Sequence, residues 1–285
     1  MSAALPAVRG VFVASLVLVS LHPLKAGDWS QFLGPNRDGR SNETGLLDAW
    51  PEGGPRVVWR ALGGTGMSGV AIAGGRAYTL LQKSGKQCLV ALDAKTGKLQ
   101  WETELVAAYK NSQGDGPRAT PTVTETQIFC FTGQGILVAL DRASGKKQWA
   151  HDCVRAYQGK PSDYGMSSSP LVVGSQVVVT AGVKGASIQA YEQKTGKLAW
   201  KSGDDRAGYS SAALLKVGGR EQIVAITAQA VVGLHPAKGG VLWRFLYETE
   251  YDCNTATPIA VGDMVFVSAG ENHGSALLKL EPTTT

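Results

Sequence analysis

After residue 26 the sequence holds no apolar run long enough to cross a bilayer, so no transmembrane helix is expected in the mature chain. Its four cysteines, Cys88, Cys130, Cys153 and Cys253, are isolated from one another. With no adjacent pair, no CxxC, no CxxCH and no histidine cluster at ligand spacing, a zinc site and a covalently attached haem are both excluded. No helical period runs through any segment after the leader, which leaves an almost wholly β chain. Charge of one sign is also scarce, since 28 basic residues face 23 acidic ones. Removal of residues 1–26 would lower the formal +5 to +3. That balance does not point to nucleic acid.

Residues 1–26 carry Arg9, the apolar run Val11–Leu21 and then Leu24-Lys25-Ala26. The run is short for a bilayer and ends near a small residue suited to cleavage, so it reads as a secretory signal peptide. An exported protein could oxidise its cysteines, but Cys88 and Cys130 fall in apolar strand-like runs where buried free thiols are an equal alternative.

What is abundant is repetition. ALDAKTGKLQW ends at Trp101, ALDRASGKKQW at Trp149, AYEQKTGKLAW at Trp200 and GLHPAKGGVLW at Trp243. Successive tryptophans lie 48, 51 and 43 residues apart, the period of one supersecondary unit copied along the chain. A β-rich run precedes each phrase, and a glycine (Gly97, Gly145, Gly196, Gly239) stands where the turn requires positive φ. Upstream, PTVTETQIFCFTG, PLVVGSQVVVTAG and PIAVGDMVFVSAG each read as a further strand pair around a polar turn. Four antiparallel strands per unit describe a β-propeller blade, and about five units are present. The tryptophans are assigned to packing between blades, with the indole N–H free to find an acceptor. Ala91, Ala139, Ala190 and Gly233 are small where a neighbouring blade is expected to come close.

The phrase A-x-D-x-x-[TS]-G-K-x-x-W resembles the tryptophan-docking repeat of the pyrroloquinoline-quinone-like (PQQ-like) β-propellers, a superfamily that includes quinoprotein alcohol dehydrogenases and BamB-like proteins. The similarity covers residues 51–285. Residues 27–50 read as a strap leading into the propeller, with turns at Gly34-Pro35 and Asp38-Gly39. At its start, residues 54–60 (GPRVVWR) resemble only the last strand of a blade, Trp59 standing 42 residues before Trp101. At its end, Glu281 sits where Asp93, Asp141 and Glu192 sit, so a fifth phrase begins there. Two expectations stand: the strand of Trp59 closes a five-bladed ring, or, as preferred, the ring is larger than this sequence.

For enzymatic members the resemblance implies a quinone stacked on the axis between a tryptophan and a vicinal disulfide, calcium held by carboxylate and amide oxygens, and an aspartate base. The sequence has no adjacent cysteines, and no Glu, Asn and Asp set matches those positions. Neither catalytic nor metal-binding residues are assigned, and PQQ with calcium is kept only with the alternative reading. For non-enzymatic members the resemblance implies a platform for a protein or peptide partner in the cell envelope. No cysteine lies near the cleavage site, so a lipid anchor is not expected.

Function in propellers resides mostly in loops around the channel mouth. Here 102–120, 150–168 and 244–257 are long, and they re-enter the blades at ATP, SSP and ATP motifs. Asp115, Arg118, Asp163, Tyr164, Tyr251, Asp252 and Asn254 are the candidate binding rim for a partner, small molecule or carbohydrate. The competing assignment is turn chemistry, with Arg118 pairing to a nearby carboxylate to hold a loop. His151, His235 and His273 are dispersed and read as structural. The preferred function is an exported, periplasmic or secreted scaffold. The alternatives are a quinoprotein alcohol or sugar dehydrogenase and a carbohydrate-binding propeller.

Overall fold

A computed structural model describes residues 27–280. The expected signal peptide, 1–26, and the fifth phrase from Glu281 onward lie outside these residues. Among them the regular structure is antiparallel β, with two short 3₁₀ turns and no α-helix. Blade I holds β1 (Val70–Ala73), β2 (Arg76–Lys83), β3 (Lys86–Asp93) and β4 (Leu99–Ala107). Blade II holds β5 (Thr122–Val123), β6 (Gln127–Phe131), β7 (Ile136–Asp141) and β8 (Lys147–Asp152). Blade III holds β9 (Leu171–Val173), β10 (Gln176–Val183), β11 (Ala186–Glu192) and β12 (Leu198–Ser202). Blade IV holds β13 (Ala213–Val217), β14 (Arg220–Ile226), β15 (Ala230–Leu234) and β16 (Val241–Leu246). Blade V holds β17 (Ile259–Val261), β18 (Met264–Ala269) and β19 (Gly274–Lys279). Within every sheet the strands follow in sequence order, as a propeller requires.

The core holds four apolar layers each shared by two blades, and a small fifth cluster, Leu81, Cys88 and Val90, within blade I. Alternation along a strand sends successive side chains into different layers. Ile128 and Cys130 of β6 pack towards blade I with Leu89 and Tyr78, whereas Phe129 and Phe131 pack towards blade III with Val177 and Val179. Val178 then joins Ile223 and Leu234 between blades III and IV. Val224 and Val231 meet Val265 and Val267 between blades IV and V. Three of the four cysteines are buried and all are free; burial raises the thiol pKa of Cys153 to about 12 and of Cys88 to about 11. As inert thiols they fill space.

The repeated phrase is the fastening between blades. Gly97, Gly145, Gly196 and Gly239 have φ of 69°, 72°, 70° and 69°. An indole from the preceding unit lies against each: Trp59 on Gly97, Trp101 on Gly145, Trp149 on Gly196 and Trp200 on Gly239. Added β-carbons would fall 2.6, 2.5, 2.7 and 2.1 Å from ring atoms, so glycine is required for space as well as for backbone angle. Trp59 and Trp149 donate to the carbonyls of Ala94 and Gln193, each three residues before its glycine, at 3.0 and 2.7 Å. Trp200 instead reaches Gln176 Oε1 at 2.8 Å. The Trp101 indole nitrogen is buried without a partner among the described residues. Ala91, Ala139, Ala190 and Gly233 stand directly across from Trp101, Trp149, Trp200 and Trp243 on the neighbouring strand. A β-carbon on Gly233 would lie 2.1 Å from the Trp243 indole nitrogen. At Gly233, smallness serves the tryptophan of the same blade, which corrects the expectation of a neighbouring blade.

Residues 54–60 form no strand, and blade V, built of three strands, takes no fourth from them. The five-bladed closure through Trp59 is therefore not formed: that indole reaches blade I, but its segment has no third strand beside it to pair with. One face of blade V is left uncovered, with Ile259, Val261 and Leu277 40%, 44% and 50% exposed.

Gly185 and Gly196 separate the two demands on the turn, because Gly185 has φ of 71° but nothing within 4 Å of an added β-carbon. Gly185→Ala is expected to cost about 1 kcal/mol from backbone strain alone. Gly196→Ala should cost about 2–4 kcal/mol by adding a collision with Trp149. Urea denaturation of the two variants checks the difference, and equal costs would contradict the docking role of Gly196.

Candidate functional site

The segment leading into each blade carries a small hydroxyl side chain at one fixed place: Thr120, Ser169, Ser211 and Thr257, with Gly69 in blade I. Thr120 N–H donates to Ser169 Oγ at 3.0 Å and Ser169 N–H to Ser211 Oγ at 2.9 Å. A β-carbon on Gly69 would sit 2.5 Å from Thr120 Oγ1, so the close approach of blade I to that hydroxyl requires glycine there. Adjacent hydroxyls add a second course: Ser68 donates to Ala119 O at 2.6 Å, Ser167 to Tyr209 O at 3.0 Å and Ser210 to Ala256 O at 2.7 Å. These contacts satisfy backbone groups at the inner edges of the blades, where unpaired amides would otherwise be exposed.

The strap runs along the same inner edges. Trp29 pairs with Ile72 in both directions, at 2.7 and 2.9 Å, and Val123 N–H donates to Ser30 O at 2.8 Å. Arg37, 3% exposed and with φ of 54°, crosses to blades III and IV. Its guanidinium donates to Gln31 Oε1 at 2.9 Å, Ser169 O at 3.2 Å, Ala212 O at 2.8 Å and Pro170 O. Burial without a carboxylate lowers its pKa to about 9, which leaves it charged at neutral pH. The carbonyls repay part of the desolvation that a buried cation suffers.

Between strap and loops lie two adjoining axial cavities of about 390 and 400 Å³. Both are lined by Phe32, Met67, Arg118 and Ser167. The first adds Trp29, Gln31, Thr120 and Ser169; the second adds Tyr164, Tyr209, Ser211, Cys253 and Thr255, among others. Among the described residues no aspartate or glutamate lines either cavity, and the amide side chains there are Gln31 and Gln113.

Of the rim residues picked out in the sequence, Arg118 and Tyr164 line the axial cavities. Arg118 holds its loop through carbonyls, donating to Tyr164 O, Gly116 O and, at 2.7 Å, Gly114 O, while it stands 4.9 Å over the Tyr109 ring. It makes no hydrogen bond to a carboxylate of the described residues, which corrects the expected ion-pair anchor. Asp115 is engaged elsewhere: it accepts from Asn111 N–H and from Lys110 Nζ, both at 3.0 Å, and the Asn111 contact foremost holds its pKa below the usual range. Tyr164 lies 5.4 Å from Tyr209 between ring centres, and Asp163 is exposed beside it. Asp252 is bound by Arg206 at 2.8 and 2.9 Å. Asn254 is buried, its Nδ2 donating to Thr227 O at 2.8 Å and to Tyr247 O at 3.3 Å. Tyr251 is exposed with φ of 59°. His151 stacks on Tyr191 at 4.7 Å, in keeping with a structural role.

The sequence reading missed Arg37, Phe32, Met67 and the hydroxyl belt. The belt did leave a signal, a small hydroxyl residue before proline in three blades. Arg37 left none, because its partners are carbonyls 132 to 175 residues away.

The family model of outer membrane protein assembly factor BamB matches residues 45–163 and again 159–284. Among solved structures, the quinohemoprotein alcohol dehydrogenase of Comamonas testosteroni gives a TM-score of 0.55 at 15% identity, over 88% of this chain and 45% of its own. A quinohemoprotein alcohol dehydrogenase of Pseudomonas putida gives 0.46 at 17%, over 76% and 39%. BamB of Moraxella catarrhalis gives 0.31 at 16%, over 77% and 83%. The chain thus spans less than half the length of the two dehydrogenases, and at these identities likeness speaks for fold alone. No curated protein matches.

Arg37→Leu is expected to destabilise the protein by about 3–5 kcal/mol, because it strips donors from the buried carbonyls of Ser169, Pro170 and Ala212. Asp252→Asn, which breaks an exposed pair, should change stability by less than about 1 kcal/mol. Paired denaturation curves check both, and a small effect at Arg37 would show that the strap is not a structural tie.

Proposed function

Because the chain belongs to the family described as outer membrane protein assembly factor BamB, we propose that it is an exported binding scaffold of the cell envelope, engaging a protein or peptide partner rather than carrying out chemistry. The observation that carries this reading is the axial lining: hydroxyls, aromatic rings, aliphatic side chains, two glutamine amides and one guanidinium, with no carboxylate among the described residues. Calcium takes six or more oxygens, normally with carboxylates among them, and alcohol oxidation needs a positioned base. The residues present at this axis do not fit a calcium-bound quinone. Among the described residues no group of three or more His, Cys, Asp or Glu side chains is placed to hold a metal.

Export is part of the proposal and rests on the apolar leader of residues 1–26. No helix of the described residues is long and apolar enough to cross a membrane. A ring larger than five blades belongs to the same proposal, supported by the uncovered apolar face of blade V, since a propeller unit buries its core against its neighbours.

Titration with pyrroloquinoline quinone and calcium, followed by calorimetry and dye-linked alcohol oxidation, tests the reading. The expected outcome is neither saturable calcium-dependent binding nor turnover. Tight calcium-dependent binding together with alcohol oxidation would overturn the scaffold reading.

A further inference from the structure

We propose that the axial cavity recognises a carboxylate carried on an apolar body, seated with the anion at Arg118 and the apolar part against Phe32, Met67, Tyr164 and Tyr209. The proposal deepens, and rests on, the reading of this protein as a binding module.

Three features converge on this ligand chemistry. First, Arg118 is a cation without an anion. It is 9% exposed, burial foremost lowers its pKa, and its five N–H groups meet three carbonyls of the described residues but no carboxylate oxygen. The nearby Asp115 is occupied by Lys110 and Asn111. A guanidinium held rigidly by carbonyls, with donor capacity left over, is preorganised for a planar oxyanion. Second, the walls around it supply short neutral hydroxyls, Thr120, Ser167 and Ser169, and among the described residues no acidic side chain that would repel an anion. Third, the second cavity is predominantly apolar: the Tyr164 and Tyr209 rings lie 5.4 Å apart and face the same space as Phe32 and Met67. Two adjoining volumes of about 390 and 400 Å³ suit a ligand of one or two aromatic residues' size.

The strap sets the direction of approach. Trp29, Gln31, Phe32 and Leu33 line the first cavity, and Arg37 ties that segment to the inner edges of blades III and IV. Strap side chains therefore form one wall of the cavity. What enters from the loop side presents an end, either the carboxyl terminus of a peptide or a free aromatic acid.

The test is calorimetric titration of the full chain with N-acetyl-Ala-Ala-Phe as the free acid, the same peptide as its C-terminal amide, and 3-phenylpropionate. The acid peptide is expected to bind at least about tenfold more tightly than the amide, the size of a charge-assisted hydrogen bond. Comparable binding by 3-phenylpropionate would support the same carboxylate chemistry and assign a free acid as the source; preference for the peptide acid would assign a chain terminus. Because Arg118 also braces its loop, the acid-to-amide comparison on the unaltered protein is decisive. Arg118→Gln should abolish the difference, and Met67→Trp, at a position 54% exposed, should block both acids while leaving thermal stability unchanged. Equal affinity for acid and amide, or no binding of either acid, overturns the proposal. That failure leaves the scaffold reading standing, since the quinone and calcium titration reads a different property.

Discussion

The contact between an indole and a glycine turn is the interaction on which the remaining architecture depends. A propeller blade cannot hide both of its faces within itself, so its stability resides in what lies on either side. The docking of Trp59, Trp101, Trp149 and Trp200 on successive glycines ties each outer edge to the following unit. Only then do strands such as β6 bury both faces, with Ile128 and Phe129 committed to different layers. The turn residues conform to this requirement rather than to turn chemistry alone. An ordinary turn needs glycine for φ; these turns also need an empty place where a β-carbon would be.

At the inner edge the constraint is different. Blades converge on the axis with strands as short as β5, too short to cover the amides beside them, and the sequence meets this with hydroxyl side chains and a strap. Thr120, Ser169 and Ser211 pass a hydrogen bond from blade to blade. Arg37 then spans blades III and IV from a segment more than a hundred residues away in sequence. Outer fastening is apolar and local to consecutive units, whereas inner fastening is polar and long-range. The site arises from the second kind, since the groups that close the axis also line its cavities.

That division explains what was legible beforehand. The blades, their order and the role of the repeated phrase could be read because they recur at a fixed period, and each copy corroborates the others. The strand assigned to residues 54–60 failed for the complementary reason: its pattern matched a fourth strand, but a strand is made by its pairing partner, and none lies beside it among the described residues. The site was only partly legible. Arg118 and Tyr164 were visible as charged and aromatic residues in a long loop. Phe32 and Met67 look like ordinary apolar residues in irregular segments, and only topology gathers them at the axis. Asp115, Asp252 and Asn254 show the opposite effect, chemistry-bearing side chains occupied in holding their loops.

The allocation of charge finally separates the axis from the rim. Around the loops Arg206 pairs with Asp252, Arg244 with Asp205 and Lys110 with Asp115, while Asp163 stands exposed beside them. Along the axis the guanidiniums of Arg37 and Arg118 are held by carbonyls, without a carboxylate among the described residues. Carbonyls orient a cation and repay some of its desolvation, but they leave its net charge in place. Arg37 has its donors committed among packed blades and therefore serves the fold. Arg118 borders open volume, so its charge is available to whatever enters. The same chemical device thus performs a structural task at one level of the channel and a recognition task at the next, and the difference lies in whether space remains beside it.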